Sequence, residues 1–98
     1  MFSKLKQIKD IRQQAKTIQN TLSQERVEAT AAWGKIKMVM NGNQEIENIS
    51  IDPELLDPQK KDEVEKAIKE VVQDGIKKVQ KIMSSKIREG NIKLPDWN

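Results

Sequence analysis

The sequence predicts an α+β fold: a long N-terminal helix, a small antiparallel sheet of two to three strands, and a long C-terminal helix. Three observations carry this reading. Apolar residues recur at steps of three and four from Leu5 to Leu22, and again from Val64 to Met83, the spacing that lines one face of a helix. Between these stretches Ile36, Met38 and Met40 alternate with Lys35, Lys37 and Val39, the period of a strand with one covered face. The alternation runs into Asn41-Gly42-Asn43 and then "QEIENISIDPELLDP", a tight-turn signal followed by a return strand and two Asp-Pro pairs.

The first helix covers about residues 2–26, with Leu5, Ile8, Ile11, Ala15, Ile18 and Leu22 on its apolar stripe. From Ile8 to Leu22 the steps are 3, 4, 3, 4, the seam of a helix that pairs with another helix. Lys9, Arg12 and Lys16 fall on a face beside that seam, and Lys4 and Lys6 extend the positive charge toward the N-terminus. Such a helix measures roughly 35–40 Å, longer than a small domain is wide. Part of it is expected to project beyond the core.

The strands lie within about residues 27–51. Gly34 to Met40 forms one strand, and Asn41-Gly42-Asn43 supplies the positive-φ positions of a hairpin turn. The return strand, Glu45 to Ile51, carries Ile46, Ile49 and Ile51. The step of three between the first two keeps one face only if a bulge occurs near Asn48. Val27, Ala29 and Ala31 also alternate, which leaves a preceding third strand open. Asp52-Pro53 ends the sheet, Glu54-Leu55-Leu56 forms one helical turn, and Asp57 is the N-cap of the second long helix, with Pro58 at its first position.

That helix runs from about residue 58 to 89 on a stripe of Val64, Ala67, Ile68, Val71, Val72, Gly75, Val79, Ile82 and Met83. Gly90 stops it, leaving residues 90–98 as an irregular tail. Gly75, mid-stripe, costs about 1 kcal/mol relative to Ala and reads as a point where another helix approaches closely. Residues 1–98 read as one domain with a thin core, for which a second copy is a natural remedy. Ile8, Ile11, Ile18, Leu22, Ile36, Met38, Ile49 and Ile51 are the residues expected to build the core and the dimer contact.

The chain contains no cysteine and no histidine, which excludes disulfides, thiolate or imidazole metal sites and histidine-based acid–base catalysis. No apolar run approaches the roughly 20 residues of a membrane span, and Met1 to Asn20 is too polar for a secretory signal, so a cytoplasmic protein is expected. The four glycines are too scattered to cradle a phosphate, and the serines have no histidine to activate them. Glu45, Glu47, Asp52, Glu54 and Asp57 lack the ligand spacing of a calcium loop. No catalysis, metal, cofactor or small-molecule substrate is expected.

Charge is the remaining signal. The net +3 divides into +4 over residues 1–26, −4 over 27–58, −1 over 59–75 and +4 over 76–98, an asymmetry that points to a polyanionic partner. In the second long helix, Asp62, Glu63, Glu65 and Glu70 come early, and Lys77, Lys78, Lys81, Lys86 and Arg88 come late. The helix dipole favours that order, but it acts within the last turn, whereas the basic run covers three. Phe2, Trp33 and Trp97 are the only aromatic residues and none lies within a basic run. Contacts to duplex phosphates therefore fit better than stacking on single-stranded bases. The candidate DNA-binding residues are Lys4, Lys6, Lys9, Arg12, Lys16, Lys77, Lys78, Lys81, Lys86 and Arg88. The alternative is a protein-interaction module that offers a helix seam to a partner helix, without nucleic acid.

The strand "GKIKMVM", the turn "MNG" followed by Glu45-Ile46, and above all "IDPELLDP" at Ile51 to Pro58 closely resemble the YbaB/EbfC family of bacterial nucleoid-associated DNA-binding proteins. "IRQQAKTIQNTL" and "VVQDGIKKVQKIMSSKI" look like its helices, so the resemblance covers nearly the whole chain. It implies a non-enzymatic cytoplasmic protein of the nucleoid: a homodimer with a central sheet and helices projecting as tweezer-like arms that bind duplex DNA. "VEATAAW" is shorter and less glycine-rich than the family pattern, and Gly75 stands where that pattern has alanine. On this reading the acidic hairpin forms the dimer centre and keeps phosphate toward the basic helices.

Overall fold

The computed structural model describes the backbone of residues 2–90 and the side chains of residues 8–90. The side chains of Lys4 and Lys6 and the tail from residue 91 lie outside these described residues. The order is α1 (Phe2–Ser23), β1 (Arg26–Ala31), β2 (Ile36–Asn41), β3 (Ile46–Ile51) and α2 (Lys61–Arg88), with 3-10 turns at Pro53–Leu55 and Pro58–Lys60. This is the α+β arrangement the sequence predicts, and the strand left open, β1, is formed.

The sheet is antiparallel with order β1-β2-β3. Its pairing places three apolar rows on one face: Val27, Met40 and Ile46; Ala29, Met38 and Ile49; Ala31, Ile36 and Ile51. The first and second rows can both include β3 because the register shifts opposite Val39 and Met40. Asn48 pairs with Val39 and Ile46 with Met40, which leaves Glu47 between them as the bulged residue. That is the expected bulge, one position from Asn48. The carboxylate of Glu47 accepts from Arg26 Nε at 2.7 Å.

Helix α2 lies across β1 and β2. Ala67, Val71, Gly75 and Val79, one turn apart, are its buried residues, and they meet Ala29, Ile36, Met38 and Met40, each no more than 1% exposed. Val64, Ile68, Val72, Ile76 and Ile82 pack along the margins of that core; Ile76 is an addition to the predicted stripe. The close approach at Gly75 is to the sheet rather than to another helix. A Cβ there would meet the terminal methyl of Met38. Leu55, 3% exposed, closes one end of the core from the first 3-10 turn.

Three boundaries differ from expectation for local reasons. Helix α1 ends at Ser23 rather than near residue 26, because Gln24 N and Glu25 N fold back onto Thr21 O and Leu22 O and β1 begins at Arg26. Asp57 caps the 3-10 turn, its Oδ1 accepting from Gln59 N at 2.9 Å, and Lys60 N closes on Asp57 O at 2.8 Å. The α-helix itself therefore starts at Lys61. In the β2–β3 turn the left-handed residue is Gln44, with φ 62°, and not Gly42. Asn41 Oδ1 builds this turn by accepting from Asn43 N at 2.9 Å and Glu45 N at 3.1 Å. Gly42 is needed because a Cβ would strike the carbonyl oxygen of Leu22.

Candidate nucleic-acid interface

Helix α1, roughly 33 Å long for its 22 residues, packs broadly against no other element among the described residues. It meets the body of the protein at its C-terminal end, where Leu22 is 4% exposed. Further out, Ile8 is 50% exposed, Ile11 and Ile18 are half-buried, and Ala15 is exposed. Of the four α1 residues that sequence periodicity assigned to the core and dimer contact, only Leu22 is buried within one chain. The reason is topological: α2 occupies the β1–β2 face, and beyond Leu22 no element among the described residues packs broadly on the α1 stripe.

Lys9, Arg12 and Lys16 stand on that arm, all exposed. None of the ion pairs among the described residues involves them. They form an exposed positive row with the seam beside it.

The second basic cluster is less uniform. Lys77, Lys81 and Arg88 are exposed and take part in none of the ion pairs among the described residues. Lys78 instead donates to the carbonyl oxygen of Glu28 at 2.8 Å and pairs with Asp74 at 3.1 Å, so it ties α2 to β1. Lys86 is half-buried and pairs with Glu25 at 2.8 Å, which pushes its ammonium above the ordinary lysine range through that hydrogen bond and the carboxylate's charge. Lys81, Lys86 and Arg88 line one open groove together with Glu25, Ile82, Ser85 and Glu89. Sequence reasoning did not find Glu25. It is 61 positions from Lys86, and no periodic pattern links the two.

The remaining expected core residues split by strand. Ile36 and Met38 are fully buried, while Ile49 is 42% exposed and Ile51 half-buried. Helix α2 does not reach β3 broadly, so Ile46, 49% exposed, and Ile49 form an uncovered apolar edge on the α2 side of the sheet.

The charges separate along the sheet. At one end the β1–β2 turn meets the exit from β3: Asp52 N donates to Lys35 O at 2.8 Å and Lys35 Nζ pairs with Glu54 at 2.9 Å. That pair lowers the Glu54 carboxyl and raises the Lys35 ammonium, in each case through the shared hydrogen bond first and the partner's charge second. Trp33 stands fully exposed at the same end, in a turn where Ala32, Trp33 and Gly34 all have positive φ. The other end carries the β2–β3 turn, the root of α1 and, through Lys86 and Glu25, the last turns of α2. The acidic Asp52–Asp57 segment is thus at the opposite pole from the root of α1 and the basic last turns of α2, where Glu25, Glu45 and Glu47 also stand.

Among the described residues no group of three acidic side chains is placed to hold a metal ion, and no helix is long and apolar enough to cross a membrane. The profile of the YbaB/EbfC DNA-binding family matches residues 1–91. A nucleoid-associated protein of Pelotomaculum thermopropionicum is 35% identical over 97 residues, covering 97% of this chain and 92% of its own. One of Moorella thermoacetica is 32% identical and covers 99% of this chain and 95% of its own. The crystal structure of an uncharacterized Helicobacter pylori protein superposes with a TM-score of 0.64 at 17% identity, covering 80% of this chain and 90% of that one, a likeness of fold.

Proposed function

The chain belongs to the YbaB/EbfC DNA-binding family, and from that premise we propose that it is a non-enzymatic, nucleoid-associated protein of the cytoplasm that binds duplex DNA as a homodimer. In this reading residues 1–98 act as one domain. The observation that carries it is the α1 arm: Lys9, Arg12 and Lys16 are exposed on a helix that leaves the body of the protein, with no acidic partner among the described residues. Phosphate oxygens spaced along a duplex suit such a row of cations, whose attraction to them is independent of base sequence. Lys77, Lys81 and Arg88 add a second row. Lys4 and Lys6 extend the first, and Lys86 joins the second once it leaves Glu25. Lys78 holds α2 to β1 and contributes least. The acidic pole repels phosphate and so directs DNA to the helical end.

The homodimer is supported by apolar surface that one chain leaves uncovered: Ile46 and Ile49 beside α2, and the Ile8, Ile11 and Ile18 seam. A second copy is the partner that covers both. The nucleoid assignment is supported by the names of the relatives. The test is duplex-DNA binding across a salt series, with the oligomeric state followed by sedimentation. The reading expects a dimer whose log affinity falls linearly with log salt, at about −0.9 per phosphate contact. A monomer, or binding that ignores salt, contradicts it.

A further inference from the structure

We infer that the β2–β3 turn is the seat of the α1 arm, with Asn43 as a positioning residue that fixes the direction in which the arm meets DNA. The inference rests on the reading of α1 as a DNA-binding surface. The carbonyls of a helix's last turn have no partner within the helix and need one from elsewhere. Helix α1 has no basic residue in its last turn, and Gln24 and Glu25 follow it where a capping glycine is common. The turn adds donors from outside the helix, to Gln19 O within the helical ladder and to Leu22 O, which Glu25 N already reaches. Asn43 Nδ2 donates to Gln19 O at 3.0 Å, and Gly42 N donates to both Leu22 O, at 2.9 Å, and Glu25 O, at 3.0 Å.

The seat is itself braced. Asn41, 5% exposed and the one buried polar residue among those described, holds the turn through Asn43 N and Glu45 N. Gly42 lets the helix end approach as closely as it does. Within its own subunit α1 packs broadly on nothing else among the described residues, so small rotations at this point move the arm, with whatever its seam holds, relative to its own sheet. A tilt of about 10° moves the far end of such a helix by roughly 6 Å, enough to take a lysine off its phosphate. A fixed seat removes that freedom before DNA arrives, and preorganisation of this kind raises affinity with the same set of bonds to the ligand.

The test uses the full chain, which has no cysteine of its own. Spin labels are placed at Gln13→Cys on α1 and Gln73→Cys on α2, both exposed, with labelled subunits diluted into unlabelled ones so that distances are read within a subunit. Asn43→Ala and Asn43→Asp each remove the donor to Gln19 O, the second while keeping the shape and turn chemistry of asparagine. The expected result is a broader 13-to-73 distance distribution in both variants, while the melting midpoint moves by no more than about 5 °C. DNA affinity falls about three- to tenfold at an unchanged salt slope, since the phosphates contacted are the same. A distribution of unchanged width in both variants overturns the inference. Broadening with undiminished DNA affinity leaves the seat standing and refutes instead the role of α1 in binding DNA.

Discussion

Helices α1 and α2 carry apolar stripes of the same spacing, and they end in opposite situations. The α2 stripe centres on small residues, Ala67, Val71, Gly75 and Val79, and lies against the long side chains of Met38 and Met40. Small against large is how a helix settles close onto a sheet at interior packing density. The outer α1 stripe holds Ile8, Ile11, Ala15 and Ile18, and among its described side chains only Leu22 at the root is buried within the chain. Periodicity therefore locates the apolar face of a helix but not what covers it. In α2 the cover is the protein's own sheet; in α1 no described residue supplies one beyond the root, and Lys9, Arg12 and Lys16 beside the seam are exposed.

The largest expected effect breaks the part of this contrast that concerns the uncovered surface. Ile49→Asp puts an uncompensated charge on the uncovered edge of β3, beside Met38 but outside the broad contact of α2 with β1 and β2. If a second copy covers that face, sedimentation equilibrium shows dimerisation weakened by about 100-fold or more, the cost of burying an unpaired carboxylate. An unchanged dimer means that the second copy sits elsewhere.

Two glycines, Gly42 against the end of α1 and Gly75 within α2 against the sheet, sharpen the contrast at smaller scale. Gly42→Val drives a side chain into the backbone of Leu22, which cannot move without moving α1. A loss of about 2–3 kcal/mol is expected from denaturant unfolding. Gly75→Ala meets the terminal methyl of Met38 and touches the end of Met40, both flexible groups, while α2 gains about 1 kcal/mol of helix propensity. The two effects oppose each other, and the unfolding midpoint shifts by less than the equivalent of about 1 kcal/mol. Equal effects at the two positions would erase the distinction between a rigid root and a yielding core.

The smallest expected effect is that of pH. Without histidine or cysteine, no side chain with an ordinary pKa titrates between about pH 6 and 8. Glu25 raises the Lys86 ammonium, so the contribution of that pair is fully present below the ordinary lysine value and fades only as pH rises through the raised one. The lowered Glu54 carboxyl contributes above the ordinary carboxylate value, and that contribution fades as pH falls through the lowered one. Both windows lie outside the neutral range. Titration calorimetry is expected to show DNA affinity constant within about twofold from pH 6 to 8.

The elements and the apolar rows are readable in the sequence because each depends on near neighbours: the alternation of Ile36, Met38 and Met40, and the Ile46-to-Ile49 step that forces a bulge. Strand β1 is ambiguous there because Ala29 and Ala31 are too small to mark a strand strongly. Gly42 is the right residue for a different reason. Its lack of a side chain serves a helix some 20 positions away rather than its own φ, and a turn motif carries no information about that neighbour. The engagements of Lys78 with Glu28 and Lys86 with Glu25 are hidden for the same reason. A run of five basic residues looks alike in sequence whether its members face solvent or hold the fold together.

The central claim is that the exposed cations of the arm, rather than basic charge in general, bind duplex DNA. The most direct measurement replaces Lys9, Arg12 and Lys16 together with glutamine and follows duplex affinity against salt concentration. Circular dichroism and sedimentation check that helicity and dimerisation are intact. The account predicts lower affinity and a salt slope shallower by about 0.9 for each phosphate that the variant no longer neutralises, with both controls unchanged because none of the three lies on the seam. Undiminished affinity with an undiminished slope would contradict it.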